Sequence, residues 1–144
     1  IGSSLVGSEM CIRDRYRALT NAMENNMIRS AHDCSDGGLS VSLAESCFGF
    51  SGGADIDVSE ILLSDDELDE WGALFGESLG RIIVSVSPEN ATEFEERMEG
   101  HAVYKLGKTT SSGKVMISAH GKTILKCDVA SLKAAWKGTL DRSA

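Results

Sequence analysis

The sequence has 144 residues, of which 42% are hydrophobic and 25% are charged, a composition typical of one globular domain rather than of a disordered or fibrous protein. Its formal net charge of −8 argues against a nucleic-acid partner and against an anionic membrane surface, because both require a basic patch. No apolar run approaches the roughly 18 residues that span a bilayer, so a membrane protein is not expected.

The four cysteines show neither a CxxC pair nor a Cys/His spacing typical of zinc sites. An even number leaves disulfides open, but a chain with an adequate core does not require them. The sequence shows no signal-peptide pattern. We therefore expect reduced thiols and a cytoplasmic location. The cysteines are Cys11, Cys34, Cys47 and Cys127.

The first fifteen residues, IGSSLVGSEMCIRDR, have no clear hydrophobic period and do not lead naturally into the helix that follows. They resemble a translated sequencing-adapter scar of the kind found at the ends of assembled gene fragments, which is kept out of fold reasoning. The alternative is a genuine flexible terminus, and under both interpretations the stretch carries no site. We predict a foreign or disordered terminus at 1–15 and a domain at 16–144, the carboxy-terminal piece of a longer protein.

The first predicted elements are a helix, a strand and a second helix. The initial helix begins at Tyr16, because apolar residues recur from there at spacings of three and four. Residues 28–32 are predicted to form a short buried strand, and residues 39–48 a helix that stops at Gly49. The residues expected to face the core are Tyr16, Leu19, Met23 and Met27 in the first helix and Leu39, Leu43, Ala44 and Cys47 in the second.

Three further elements follow in the middle of the sequence. Residues 54–58 alternate in polarity as a half-buried strand does. Ser64 and Glu67 form a capping-box pattern ahead of a helix, and residues 81–86 are rich in the β-branched side chains of a central strand. The expected core residues are Ala54, Ile56 and Val58 in the first strand and Leu68, Trp71, Leu74 and Phe75 in the helix.

The last third combines helices with a hairpin. Ser87 followed by Pro88 indicates a helix start, three strands follow, and a tight turn at 120–121 joins the last two strands. Asp128 is expected to cap a final helix. The strands are predicted at 102–106, 114–118 and 123–127, and the inward residues of the two helices are Phe94, Met98, Val129, Leu132 and Trp136. This mixture of helix-linked strands and an antiparallel hairpin predicts a layered α+β domain.

One segment, HDCSDGG at 32–38, places two carboxylates, a hydroxyl, an imidazole and two glycines between a predicted strand and a predicted helix. Free amides at a helix start attract anions, and glycines let a phosphate approach the backbone. The carboxylates would repel that phosphate unless they hold Mg²⁺, which takes one or two protein carboxylates and shares phosphate oxygens. The alternative is structural, with Ser35 or Asp36 as the helix cap and the glycines as a turn. In it, His32 forms structural hydrogen bonds and Cys34 is a small buried residue.

A second candidate, LFGESLGR at 74–81, is again a loop that leads into a strand. Its Glu77 and Ser78 are suited to bind ribose hydroxyls or a phosphate oxygen. The structural alternative is a glycine-bounded loop in which Glu77 pairs with Arg81.

Three segments together, SAHDCSDGGLSVSLAES, ALFGESLGRIIVSVSPEN and DVASLKAAWKGTL, resemble the carboxy-terminal domain of phosphoribosylformylglycinamidine synthase, in the short form of its synthetase subunit. The resemblance runs from about Tyr16 to Leu140. The HDxSDGG loop is shared more loosely by aminoimidazole ribonucleotide synthetase, selenophosphate synthetase, thiamine-monophosphate kinase and a hydrogenase maturation protein. The resemblance to the synthase implies an α+β fold of α/β/α layers with a mixed sheet, similar to the carboxy-terminal domain of aminoimidazole ribonucleotide synthetase.

In that family, ATP activates the amide oxygen of formylglycinamide ribonucleotide as an iminophosphate, and ammonia derived from glutamine then displaces phosphate. The resemblance implies ATP and Mg²⁺ as cofactors. It gives Asp33 the role of a metal ligand and Ser35 that of a nucleotide contact, at the auxiliary nucleotide site of the longer relatives. Asp36, Gly37 and Gly38 match the motif and are expected on the phosphate side.

Glu77 and Ser78 match the start of a substrate-binding loop in the family. Leu79 stands where a glutamine is often found, and this departure puts ligand binding by the loop in doubt. The family's general base and its main ATP lysine have no counterpart here. The resemblance therefore implies no catalytic residue in this chain, which is expected to be inactive by itself.

The expected partners are the upstream domains of the same synthetase chain, a glutaminase subunit and a small accessory subunit, with neither nucleic acid nor membrane. A homodimer stays open, because free sheet edges or a bare apolar face favour self-association. Two other functions also stay open: a non-catalytic scaffold or auxiliary nucleotide-binding domain, and a related ATP-dependent synthetase or kinase of the same superfamily.

Overall fold

The computed structural model describes residues 9–50 and 52–138. The helices are α1 Glu9–Glu24, α2 Gly38–Cys47, α3 Ser59–Leu63, α4 Glu70–Phe75, α5 Ala91–Arg97 and α6 Val129–Gly138. The strands are β1 Ile28–Asp33, β2 Gly53–Asp57, β3 Ile82–Val86, β4 Gly107–Thr110, β5 Lys114–Ala119 and β6 Lys122–Asp128. Among these helices, none has the length and apolar character that a bilayer crossing requires.

The strands of the described residues form two sheets. β1 and β3 pair antiparallel, with Asp33 opposite Ile82. The second sheet has the order β4-β2-β5-β6, in which β2 and β5 are parallel and the other neighbours antiparallel. Helices combined with a mixed sheet confirm the predicted α+β class.

In the part of the chain that the structure describes, two apolar clusters form the core, and β3 contributes to both. Ile83 belongs to the larger cluster, which packs α2 and α4 against the mixed sheet. Ile82 and Val84 belong to the smaller cluster, with residues of α1 and α5. Because successive strand residues point to opposite faces, the β1–β3 pair lies between helices on both sides. This is the layered arrangement that was expected.

Two local predictions are confirmed closely. Helix α2 buries Leu39, Leu43 and Cys47, as its three- and four-residue spacing requires. The β5–β6 hairpin turns at His120 and Gly121, whose φ values are 50° and 75°. Two consecutive positive φ angles are the geometry of a type I′ turn, which matches the twist of the strands it joins.

The first helix starts earlier than predicted and presents a different face. It begins at Glu9, and its buried residues include Arg15 and Ala22 in addition to Leu19. Tyr16 is 44% exposed, so its predicted core position is wrong. The guanidinium of Arg15 donates to the Gly80 carbonyl oxygen at 3.2 Å, which turns that side of the helix inward. Met23, also expected inside, is exposed. The boundary after residue 15 and the foreign origin of 1–15 stay predictions, and residues 1–8 lie outside the described part.

The predicted capping box is wrong, because Ser64 ends one helix and does not start the next. Its hydroxyl donates to the Ile61 carbonyl at the end of α3, at 2.6 Å. Helix α4 is capped by Asp69, whose carboxylate accepts from the Gly72 amide at 2.6 Å. With this later start, Leu74 is fully buried as expected. Trp71 is 60% exposed, so its predicted core position is wrong. Phe75, which stacks on Trp71, is also exposed.

Four further expectations about strands and burial are corrected. No strand forms at 102–106; β4 begins at Gly107, where a Cβ atom would lie 2.1 Å from the Asp55 carbonyl oxygen of β2. The glycine permits this close pairing. Strand β1 is mostly exposed and not buried, and β3 has one strand partner among the described residues. Trp136 is 50% exposed because its indole nitrogen donates to Glu45 at the surface.

Asp57 provides a pH-dependent contribution to stability at the start of α3. Its carboxylate accepts hydrogen bonds from the Ser59 hydroxyl, from the Ser59 amide at 2.8 Å and from the Ser118 hydroxyl at 2.9 Å. The Ser59 hydroxyl above all, with the other two donors, holds the pKa of Asp57 below its ordinary value, although burial acts in the opposite direction. A lowered pKa stabilises the fold above the pKa of the unfolded chain, about 3.9.

Asp57→Asn is therefore expected to lower the free energy of unfolding by about 1–2 kcal/mol at pH 7. The difference from the parent chain should shrink below about pH 4, as the parent carboxylate itself becomes protonated. Urea unfolding at pH 7 and pH 3 measures both effects. Asp66→Asn, at an exposed carboxylate, is the control and should leave both curves unchanged. An equal loss at both pH values would contradict a role for the ionised group.

Candidate functional site

The candidate loop joins the end of β1 to the start of α2. The Cys34 amide donates to the Arg81 carbonyl oxygen at 2.8 Å, which extends the β1–β3 pairing by one step. The alternation of a strand continues here: Cys34 is 6% exposed and lies in the larger core cluster, whereas Asp33 and Ser35 are exposed on either side of it. The two side chains predicted to bind ligand therefore face outward.

Cys34 is a packing residue, as its structural interpretation predicted. Burial raises the pKa of the Cys34 thiol and outweighs a hydrogen bond with Ser42 that acts the other way. A thiol that stays protonated at neutral pH is a poor nucleophile and a poor metal ligand. His32 also has a structural contact, since its Nε2 lies 3.0 Å from Glu45 Oε2.

The start of α2 depends on two glycines with left-handed backbone angles. Gly37 has a φ of 79° and is the first residue before the helix, with no side-chain cap. The structural alternative, in which Ser35 or Asp36 caps the helix, is therefore wrong. Gly38 has a φ of 67°, and a Cβ atom on it would lie 2.8 Å from the Gly76 carbonyl oxygen. Only glycine lets the helix approach the end of α4 so closely.

The structure brings the two candidate loops together. The Gly37 amide donates to the Glu77 carboxylate at 2.9 Å, across 40 residues of sequence. The predicted pairing of Glu77 with Arg81 is not the contact that forms. The Arg81 guanidinium donates instead to the carbonyl oxygens of Ala73 and Gly76, each at 3.2 Å.

Ser78 is exposed and lines a cavity of about 280 Å³. Buried Arg81 and half-buried Tyr104 contribute to the same cavity, and the neighbouring Leu79 is 86% exposed. The two predicted substrate-binding residues therefore have different surroundings. Glu77 contacts the first loop, whereas Ser78 lines the cavity.

The carboxylates at the site fit a magnesium ion that a nucleotide helps to hold. Asp33 and Asp36 are exposed, so a cation in solvent can reach their carboxylates. Residues 9–50 and 52–138 contain no group of three or more His, Cys, Asp or Glu side chains that is arranged to hold a metal. A cage made by the protein alone is therefore not present, but Mg²⁺ commonly binds through one or two carboxylates with waters and phosphate oxygens.

The supporting roles of two residues, one for each loop, were missed in the sequence. The Ser42 hydroxyl donates to the carbonyl oxygens of Asp33 and Gly38 at 3.1 and 2.9 Å. Arg81 is 3% exposed, and its guanidinium supports the Glu77 loop through its hydrogen bonds to the Ala73 and Gly76 carbonyl oxygens. The available signals were a serine one turn after Gly38 on the buried face of a helix, and an arginine directly before an apolar strand. A buried cation or hydroxyl requires hydrogen-bond partners, which here are the backbone carbonyl oxygens of the two loops.

The comparison with protein families decides the classification. The family model described as "AIR synthase related protein, C-terminal domain" matches residues 4–119. The chain belongs to this family. The match covers the whole candidate loop and the Glu77 loop, which agrees with the family resemblance expected from the sequence.

Curated relatives are phosphoribosylformylglycinamidine synthase PurL subunits. That of Lactobacillus helveticus is 43% identical over 129 residues, 90% of this chain and 16% of the relative. That of Carboxydothermus hydrogenoformans is 37% identical over 119 residues, 81% of this chain and again 16% of the relative. The chain therefore spans about one sixth of the length of these curated relatives.

Solved structures show the same fold at low identity. Thermotoga maritima PurL complexed with FGAR has a TM-score of 0.79 at 19% identity, covering 89% of this chain and 22% of that chain. The hydrogenase maturation protein HypE in complex with ATP has a TM-score of 0.58 at 17% identity, covering 78% of this chain and 40% of that chain.

Proposed function

We propose that this chain is the carboxy-terminal domain of the ligase phosphoribosylformylglycinamidine synthase of purine biosynthesis. Identity of 43% over 90% of the chain to a subunit with that name supports the proposal. The parent enzyme would use ATP to convert formylglycinamide ribonucleotide and glutamine-derived ammonia to formylglycinamidine ribonucleotide. Since the chain contains no counterpart of the family's general base or main ATP lysine, it would not catalyse this reaction alone.

The proposed partners follow from the same assignment. They are the upstream domains of the synthetase chain, the glutaminase subunit and the small accessory subunit, in the cytoplasm. A solved structure of PurLQS from Thermotoga maritima resembles this chain with a TM-score of 0.79 and supports the assembly by analogy. At 19% identity the likeness is one of fold, and the assembly is a proposal by analogy with the subunits named for that structure.

Within the parent enzyme, we propose that the loop binds a magnesium nucleotide at an auxiliary site. The observation that carries this is the outward position of Asp33 and Ser35 on both sides of the buried Cys34. Asp33 would bind Mg²⁺ and Ser35 a phosphate oxygen. The ion would offset the negative charge shared by carboxylates and phosphates.

The helix start would complete the phosphate side of this site. Gly37 and Gly38 let a phosphate approach the backbone, and Asp36 shapes the loop. On the second loop, Glu77 and Ser78 would bind substrate hydroxyls. Related Thermotoga maritima PurL structures complexed with ATP and with ADP support a nucleotide ligand for this fold, with TM-scores of 0.72 and 0.75.

One observation favours a second function, a non-catalytic scaffold. The Gly37 amide already donates to the Glu77 carboxylate, which therefore occupies the position an anion would take. A nucleotide phosphate would have to displace Glu77 from this amide. If it does not, the loop serves to join two parts of the domain.

Calorimetry with Mg-ADP on the complete synthetase separates the two functions. Asp33→Ala is expected to weaken one class of nucleotide site by about ten-fold or more, because a lost metal contact typically costs that much. Asp66→Ala, at an exposed carboxylate away from both loops in sequence, is the matched control. Unchanged nucleotide affinity in Asp33→Ala, together with reduced stability, would support the scaffold instead.

A further inference from the structure

Arg81 makes contacts with both loops through different parts of the same residue. Its carbonyl oxygen accepts from the Cys34 amide at 2.8 Å, so its main chain holds the first loop. Its guanidinium donates to the carbonyl oxygens of Ala73 and Gly76, so its side chain holds the end of α4. The next residue after Gly76 is Glu77, the residue that reaches the first loop.

These contacts close a ring. From Arg81 the ring runs through Cys34 and along the chain to Gly37, across the 2.9 Å hydrogen bond to Glu77, and back through Gly76 to the guanidinium. Gly38 adds a second contact, since its α-carbon packs directly on the backbone at Leu74–Gly76. Movement of either loop would therefore break a hydrogen bond made by Arg81 or by Glu77.

Burial restrains the Arg81 side of this ring and gives the guanidinium a definite role, whereas the Gly37–Glu77 hydrogen bond is exposed. Arg81 is 3% exposed, and burial lowers its pKa from the ordinary value without removing the charge. The planar guanidinium can serve two carbonyl oxygens at once, which a lysine ammonium on a flexible stem does less well. The side chains of Asp33 and Ser35 are outside the ring and exposed, where a ligand can reach them.

We infer that Arg81 is a positioning residue, which fixes the Asp33 and Ser35 side chains relative to the Glu77 loop without touching the nucleotide. The inference rests on the proposed nucleotide site and adds the residue that sets its geometry. A residue that orients groups around a metal typically changes affinity by about 10- to 100-fold when it is replaced.

The test uses Arg81→Met and Arg81→Lys in the complete synthetase. Arg81→Met is expected to weaken the Asp33-dependent Mg-ADP site by about ten-fold or more, and Arg81→Lys to restore part of the affinity. Ile117→Ala is the control for a purely structural effect, because Ile117 is fully buried in β5 of the mixed sheet. It should lower stability yet leave nucleotide affinity unchanged. Wild-type affinity in Arg81→Met, or an equal loss in Ile117→Ala, would overturn the inference.

Hydrogen exchange read by mass spectrometry tests the same inference without nucleotide. Peptides that cover the loop at 34–38 should exchange about ten-fold faster in Arg81→Met than in wild type, while the β5–β6 hairpin keeps its protection. Equal exchange at the loop would overturn the positioning role. If wild type binds no Mg-ADP in an Asp33-dependent way, the proposed nucleotide site is wrong. The exchange result then still shows whether Arg81 positions the loop.

Discussion

Gly38→Ala is expected to lower the free energy of unfolding of the chain by about 3 kcal/mol. Part of the loss comes from the left-handed backbone at φ 67°, which costs a residue with a Cβ atom about 1–2 kcal/mol. The rest comes from overlap, because the new Cβ atom would lie 2.8 Å from both the Gly76 oxygen and the Phe75 carbonyl carbon. Those contacts are backbone, so they relax only if α2 and α4 move apart. Urea unfolding of the parent chain and of the Gly38→Ala variant measures the loss of unfolding free energy.

Gly49→Ala provides the matched control for this prediction. Gly49 lies just beyond the same helix, and a Cβ atom there would meet no atom within 4 Å. Its substitution should stay within about 0.5 kcal/mol of the parent. Equal stability of the two alanine variants would show that the close packing of α2 on α4 is not required.

Leu74→Ala is expected to cost about 3–4 kcal/mol of unfolding free energy. Leu74 is completely buried in the larger core cluster, under the loop that leads to Glu77. Removing its side chain leaves a cavity whose walls are α2 and the neighbouring strands, which cannot all collapse into it. Chemical unfolding at neutral pH measures the change.

The control for this change is five residues further on. Leu79→Ala removes the same atoms from a side chain that is 86% exposed, so little burial is lost. We expect a difference of less than about 0.5 kcal/mol from the parent. If both leucine variants lose similar stability, the assignment of Leu74 to the core would be wrong.

The candidate loop could be located from sequence because its signals are local. Its carboxylates, hydroxyl and glycines are neighbours along the chain between a predicted strand and a predicted helix, and Cys34 was interpreted as a small buried residue. The structure confirms the burial of Cys34 and shows that Asp33 and Ser35 are exposed on either side of it. Their binding of metal and nucleotide stays a prediction.

The contact that joins the two loops could not be predicted in this way. Glu77 and Gly37 are 40 residues apart, and the nearer partner for Glu77 in sequence was Arg81. The guanidinium instead packs at the end of α4, where carbonyl oxygens of the last helical turn and the C-cap accept its hydrogen bonds. Which oxygen accepts the hydrogen bonds of the Arg81 guanidinium depends on burial and distance in the folded chain, and spacing along the sequence gives neither.

The same division applies to the fold. Local sequence patterns were sufficient to predict the inward face of α2, the β5–β6 turn and the α+β class, because periodicity and turn residues act within a few positions. The pairing of β1 with β3 apart from the mixed sheet, and the surface positions of Trp71 and Trp136, depend on long-range packing. An apolar pattern gives the propensity to be buried. Which side chains are covered depends on the elements that pack against them, and these come from distant parts of the chain.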